Sequence, residues 1–261
     1  MSAPLRVLVT GAASGLGAAL AEAYEARGAE VLRTDVSIDA SSEASDGLHL
    51  DITSDGDWAA ALALVEQRWG GLDVLVNNAG VAGGGRLDVA SMDEWQWITE
   101  INLFGVVRGT RTFVPMFKRQ RSGRIVNVAS LAGLVHPAGM ASYNAVKAAV
   151  VALTETTGHE LASYGVSAHV VCPSYFRTNL MSSMRGEDTE LGAVIAHLVE
   201  SSPFTAEQIA AAVLEGIDRG EELIVPDAAA RAAYDLKRTD RAAYDAVMRA
   251  QAAKLDGSVS G

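Results

Sequence analysis

T-G-A-A-S-G-L-G, Thr10 to Gly17, follows the apolar run R-V-L-V-T (Arg6 to Thr10) and leads into the Ala-rich stretch Leu16 to Arg27. A strand that passes through glycines straight into a helix is a geometry that receives a pyrophosphate. The glycines let the backbone turn sharply and approach the ligand, while the free N–H groups and the dipole at the helix start favour its negative charge. Gly11, Gly15 and Gly17 are the expected phosphate-facing glycines, at G-x-x-x-G-x-G rather than G-x-G-x-x-G spacing. For this string alone, a structural turn that binds nothing is the alternative.

Outward from that turn, short Val/Ile/Leu-rich runs alternate with longer helical patterns. This is the signature of βαβ units and of a parallel sheet covered by helices on both faces. Strands are expected at Arg6–Thr10, Glu30–Asp35, Gly47–Asp51, Val74–Asn77, Gly123–Ala129, Ser167–Cys172 and Glu222–Val225. Helices are expected at Leu16–Arg27, Asp55–Trp69, Ser91–Lys118, Ser142–Ser163 and Ala206–Arg219, the last capped by Thr205. Ser37 to Asp46 reads as a surface loop. The segment 178–202, with Met181 and Met184, reads as a lid or a plain surface helix.

The composition narrows the function. The chain has 261 residues and a net charge of −11, which argues against nucleic acid and anionic membrane as partners. The tail 226–261 carries six basic and five acidic residues, so its net is +1 and the remainder holds −12. Tyr244, Val247, Met248 and Leu255 share one helical face there, so the tail is expected to dock. Cys172 is the single cysteine, which excludes an internal disulfide and a thiolate zinc cluster. Histidines 49, 136, 159, 169 and 197 show no metal-ligand spacing, and no metal is expected. The start lacks a signal-peptide pattern and no run of about 18 apolar residues occurs, so a soluble, cytoplasmic protein is expected.

Asp35, at the tip of the second strand, is placed to accept both ribose hydroxyls of an adenosine and to repel a 2′-phosphate. This favours NAD over NADP. Arg33 faces the same side two residues earlier and is the counter-argument. Asp51, after the third strand, is placed for the adenine amino group, with Ile52 beside the ring.

Four further strings stand in order: N-N-A-G (Asn77 to Gly80), Asn102 in E-I-N-L, Ser130 closing I-V-N-V-A-S, and Y-N-A-V-K (Tyr143 to Lys147). Interconverting an alcohol and a ketone needs one group that serves as base and as acid. A tyrosine serves if its high pKa is lowered, and a lysine four residues on lies one helical turn away on the same face. Together these strings resemble the single-domain short-chain dehydrogenase/reductase family, over roughly Leu5 to Val225. The resemblance implies an α/β, Rossmann-type, doubly wound fold in a single domain, with a seven-stranded parallel sheet and helices on both faces. Residues 1–225 would form the dinucleotide-binding and catalytic body and 226–261 a helical extension.

The resemblance also assigns roles. Tyr143 would be the general acid/base, Lys147 its electrostatic partner and a ligand of the nicotinamide ribose, Ser130 the donor to the reacting oxygen, and Asn102 a holder of a relay water. Cofactor contacts would come from Gly11, Ser14, Gly15, Leu16, Gly17, Asp35, Asp51, Ile52, Asn78, Ala79, Gly80, Tyr143, Lys147, Pro173, Phe176 and Thr178. Substrate contacts would come from Ser130, Leu131, His136, Met140, Tyr143, Tyr175, Met181 and Met184, a mostly apolar set that suggests a hydrophobic secondary alcohol or ketone. The family shows Pro-Gly after the sixth strand, where this chain has Pro173-Ser174. A homodimer or homotetramer is implied. An NADPH-dependent carbonyl reductase and a nucleotide-sensing scaffold are the competing readings.

Overall fold

The computed structural model describes residues 3–39 and 47–258. Among them, seven strands form one all-parallel sheet in the order β3-β2-β1-β4-β5-β6-β7. The strands are β1 Arg6–Thr10, β2 Glu30–Asp35, β3 Gly47–His49, β4 Val74–Asn77, β5 Gly123–Val128, β6 Val166–Val171 and β7 Leu223–Ile224. The helices are α1 Gly15–Ala26, α2 Asp55–Trp69, α3 Met92–Thr99, α4 Gly105–Gln120, α5 Ala132–Val135, α6 Ala141–Leu161, α7 Thr189–Glu200, α8 Ala206–Asp218, α9 Ala228–Thr239 and α10 Arg241–Ser258.

Successive side chains of a strand go to opposite faces, so an apolar strand needs cover on both. Val7, Val9, Val74, Val76 and Val126 pack with Leu20 of α1 and Val213 of α8. Leu8, Leu75 and Ile125 pack on the other face with Trp58 of α2 and with Phe113 and Phe117 of α4. The sheet thus lies between two helical layers. Its strand order reverses between β1 and β4, and at such a point the carboxyl ends of the strands open a crevice. Among the described residues no helix is long and apolar enough to cross a membrane.

Three differences from the sequence reading have local causes. The single helix expected over Ser91–Lys118 is broken into α3, a π turn at Glu100–Phe104, and α4. β3 ends at His49, two residues before Asp51: the N–H of Leu50 makes the last bond to β2, on the carbonyl of Asp35, and the N–H of Asp51 is taken by Asp57 Oδ2 at 2.8 Å. In the tail, Tyr244 is 4% exposed whereas Val247 is 46% exposed, so Val247 leaves the docking face. Residues 40–46 of the expected loop lie outside the described residues.

The two irregular regions are both helical. Residues 178–202 form a 3₁₀ turn at Asn179–Ser183 and then α7, which buries Leu191, Ile195 and Val199. Asp188 caps α7 and takes both the Nε and Nη2 of Arg86, at 2.9 and 3.2 Å, which ties this segment to the loop after β4. The tail forms α9 and α10, and they pack on α5 and its neighbours rather than projecting into solvent.

Candidate functional site

A cleft of about 1550 Å³ runs along the carboxyl ends of the strands. At its phosphate end the chain turns with φ of +66° at Gly11 and +56° at Gly15, a region that L side chains rarely adopt. A Cβ on Gly11 would stand 2.8 Å from the Cα of Ala79, and one on Gly15 would stand 2.8 Å from the Thr178 hydroxyl. Ser14 caps α1 without a side-chain bond and no acid stands in the first turn, so those N–H groups keep their capacity for an anion. The cradle therefore fits a pyrophosphate.

Gly17, expected here as a phosphate contact, does not line the cleft. A Cβ at this position would stand 2.0 Å from the carbonyl oxygen of Gly11 and 2.5 Å from Asn78 Nδ2, so glycine is needed to let α1 press against the turn. Asn78 holds that turn by donating to the carbonyls of Thr10 and Gly11 at 2.9 and 3.3 Å. Thr10, which sequence reasoning left as a strand residue, takes the N–H groups of Asn78 and Ala79 on its hydroxyl, both at 3.0 Å.

Asp35, Asp51 and Ile52 line the cleft as well, at the ends of β2 and β3. Asp35 accepts from Ser37 and from the N–H of Ala13, while Asp51 accepts from Thr53. Arg33, the counter-argument, forks onto Glu25 of α1 at 2.7 and 3.0 Å. Its charge is spent there and not at the strand tip.

On the far wall stand Ser130, Tyr143 and Lys147. Ser130 closes β5, and Tyr143 and Lys147 lie one turn apart on α6, where their side chains are nearly inaccessible. Burial pushes the Tyr143 phenol up to about 12, and a hydrogen bond with Ser130 works in the opposite direction. Burial brings the Lys147 ammonium down to about 8. Sequence reasoning made Lys147 the group that lowers the phenol. In the structure its Nζ donates to the carbonyl of Val128 at 3.1 Å and stands 5.7 Å from the centre of the Tyr143 ring, so its charge lies beside the phenol, and the hydrogen bond with Ser130 is a second lowering influence that the sequence did not suggest.

Asn102 is fully buried in the π turn and does not line the cleft. Its Oδ1 accepts from the N–H of Val81 at 2.8 Å and its Nδ2 donates to the carbonyl of Val81 at 2.9 Å. π turns of this kind often occur at functional sites. The same pair shapes the chain after Asn78, Ala79 and Gly80, all of which line the cleft. Pro173, Phe176 and Thr178, from the turn after β6, complete the wall beside Tyr143.

The other end of the cleft, expected to take the substrate, is mostly apolar. Leu131, Met140, Tyr175 and Met184 line it, as the sequence suggested, and the Met181 side chain lies outside the described residues. His136 is a correction: it is turned away from the cleft, with φ of +54°, Nε2 on the carbonyl of Gly133 at 3.1 Å and Nδ1 on Lys237 Nζ at 2.7 Å. That lysine and burial hold the imidazole below its ordinary pKa, burial being the larger influence. Trp97 and the α7 residues Val194, Ile195 and Leu198 also line this end, as do Tyr244, Met248 and Leu255 of the tail. The docking face of the tail was the one sequence signal that pointed to the last three. Cys172 is buried and its thiol is pushed up to about 12, so it is not a nucleophile. Among the described residues no group of His, Cys, Asp or Glu is placed to hold a metal ion.

A family model described as short chain dehydrogenase matches residues 6–189. The 3-oxoacyl-[acyl-carrier-protein] reductase FabG of Salmonella typhimurium is 33% identical over 213 residues, covering 79% of this chain and 86% of that protein. The 2-(R)-hydroxypropyl-CoM dehydrogenase of Xanthobacter autotrophicus is 33% identical over 222 residues, covering 79% and 88%. Among solved structures, a short chain dehydrogenase/reductase from Burkholderia phymatum in complex with NAD is similar with a TM-score of 0.83 and 30% identity, covering 91% of this chain and 94% of that one.

Proposed function

This chain belongs to the short-chain dehydrogenase/reductase family and is an NAD(P)-dependent oxidoreductase of CH–OH groups, and from that premise we propose that it moves a hydride between NAD(H) and an apolar secondary alcohol or its ketone. The carrying observation is one cleft with an adenosine-side carboxylate, Asp35, at one end and the Ser130–Tyr143 pair on the wall of the other.

The nicotinamide dinucleotide, when bound, supplies or accepts the hydride. Gly11, Ser14, Gly15 and Leu16 hold the pyrophosphate, Asp35 the adenosine ribose, and Asp51 and Ile52 the adenine. Asn78, Ala79 and Gly80 support the middle of the cleft. Pro173, Phe176 and Thr178 orient the carboxamide. Ser130 hydrogen-bonds the reacting oxygen, and Tyr143 Oη gives a proton to it in reduction and takes one in oxidation. Lys147 keeps a positive charge beside Tyr143 and binds the nicotinamide ribose. Asn102 acts behind this wall, through Val81, as a positioning residue.

NAD is favoured over NADP because Asp35 stands at the cleft and Arg33 is engaged by Glu25. The apolar lining of Met140, Met184, Leu191, Ile195, Met248 and Leu255 favours a hydrophobic substrate over a sugar acid. The activity belongs in the cytoplasm, and a homodimer or homotetramer is the expected assembly, which light scattering at micromolar concentration tests.

A panel of secondary alcohols and ketones, followed by NADH absorbance, tests the reading. Turnover of apolar members is expected, and Asp35→Ala should shift the kcat/KM ratio of NADPH to NADH upward by about tenfold or more, about 1.4 kcal/mol. A wild type that already prefers NADPH would replace this reading by the carbonyl-reductase one. Absence of turnover with intact dinucleotide binding would favour the scaffold.

A further inference from the structure

The C-terminal extension reaches the cleft through one buried carboxylate. Asp227 is 4% exposed. Its Oδ1 accepts from the N–H of Ala230 at 2.7 Å and so caps α9. Its Oδ2 accepts from the hydroxyl of Ser174 at 2.7 Å and, more weakly, from the N–H of Ser174 at 3.4 Å. A serine or threonine at position 227 would cap α9 with one oxygen. The second carboxylate oxygen is therefore not needed for the helix, and it is used on the turn after β6.

That turn is not isolated. The carbonyl of Pro173, one residue before Ser174, accepts from the N–H of Leu131 at 2.8 Å, next to Ser130. The extension grips the same region from outside: Lys237 donates to the carbonyl of Leu134 and to His136 Nδ1, and the Tyr244 hydroxyl donates to the carbonyl of Val135. Hence α9 and α10 hold the turn that carries Ser130 and the turn that carries Pro173, Phe176 and Thr178. The bond from Ser174 to the carboxylate is charge-assisted, and such bonds are about twice as strong as neutral ones.

We infer that Asp227 is a positioning residue: through Ser174 it sets the turn Pro173–Thr178 against Tyr143, so that docking of the extension fixes the geometry of hydride transfer. The inference rests on the reading of that turn as the nicotinamide end of the cleft. It also gives the serine that stands in place of the family's glycine a task that glycine could not perform.

The test uses the full-length chain with Ser174→Ala, Asp227→Ser and the double variant, each assayed with NADH and a ketone turned over by the wild type. A misplacement of about 1 Å costs up to about 100-fold, so each single variant is expected to lose about 5- to 50-fold in kcat, and the double variant no more than either. KM for NADH should change by less than about threefold, and the isotope effect from NADH dideuterated at the nicotinamide C4 should rise. Asp227→Ser retains an N-capping oxygen; if it nevertheless fails to fold, Ser174→Ala, which leaves the cap intact, decides alone. A kcat and isotope effect within twofold of wild type, or losses that multiply in the double variant, would overturn the inference. If the wild type itself neither binds NADH nor turns over any ketone or alcohol, the functional reading falls and this inference with it. Failure of the variants' effect alone leaves that reading standing.

Discussion

Residues 6–80, on the glycine-turn side, and residues 179–258, on the apolar side, both contribute to one cleft but are built differently. The first is a backbone construction: Gly11 and Gly15 at positive φ, an α1 start with no side-chain cap, and Thr10 and Asn78, at the ends of the neighbouring strands β1 and β4, bonded to main chain. The second is assembled from side chains of elements distant in sequence, with Asp188 on Arg86, Asp227 on Ser174 and Tyr244 on Val135. On the proposed function, the ligand group common to many reactions, a pyrophosphate, is met by the part built from backbone. The variable part of the ligand is met by the part whose geometry depends on long-range packing.

The wall of Ser130, Tyr143 and Lys147, proposed to be catalytic, completes the cleft, and its variants should have the largest effects. Lys147→Met removes the charge beside Tyr143 and is expected to lower kcat by about 10²- to 10³-fold, in the range of general acid–base effects. Below pH 8 both groups keep their protons, since Lys147 titrates at about 8 and Tyr143 at about 12. The kcat/KM for ketone reduction should therefore be flat up to about pH 8 and fall above it. A profile that stays flat past pH 9 would break the assignment of Lys147.

Next comes the backbone region. Gly17→Ala forces a methyl into contact with the Gly11 carbonyl, and overpacking of this kind costs about 1–3 kcal/mol. Thermal unfolding should show the loss together with weaker dinucleotide binding. An unchanged melting curve would mean that α1 is less tightly set against the turn than the contact distances require.

The substrate region should respond more mildly and selectively. Met248→Trp adds bulk to an apolar wall and is expected to reduce kcat/KM for the larger ketones of a homologous series by about 10-fold, a size typical of one to two methylenes of misfit. The smallest member and the Kd for NADH should barely change. A uniform loss across the series would place Met248 outside the substrate's reach.

The same contrast governs what was legible in the sequence. The strands β1, β2 and β4 and the helix α2 lie at their expected bounds, because apolar runs, glycines and caps are local signals. The cleft gathers Ser14, Asp35, Asn78, Ser130, Tyr143 and Lys147, which the motifs and the family resemblance had singled out. Gly17 was misread because a glycine required for helix packing and one required for ligand approach look alike in a string. His136 was misread because its positive φ and its partners, the carbonyl of Gly133 and Lys237 from the docked tail, are not marked in the string. The roles of Ser174 and Asp227 were invisible, since 53 residues separate two groups that meet only once α9 is in place.

The most direct test of the account is Tyr143→Phe, assayed for NADH-dependent ketone reduction alongside NADH binding by fluorescence titration. Loss of the acid/base hydroxyl is expected to lower kcat by about 10³-fold or more, while the Kd for NADH stays within about threefold of the wild type. Turnover equal to that of the wild type would contradict it.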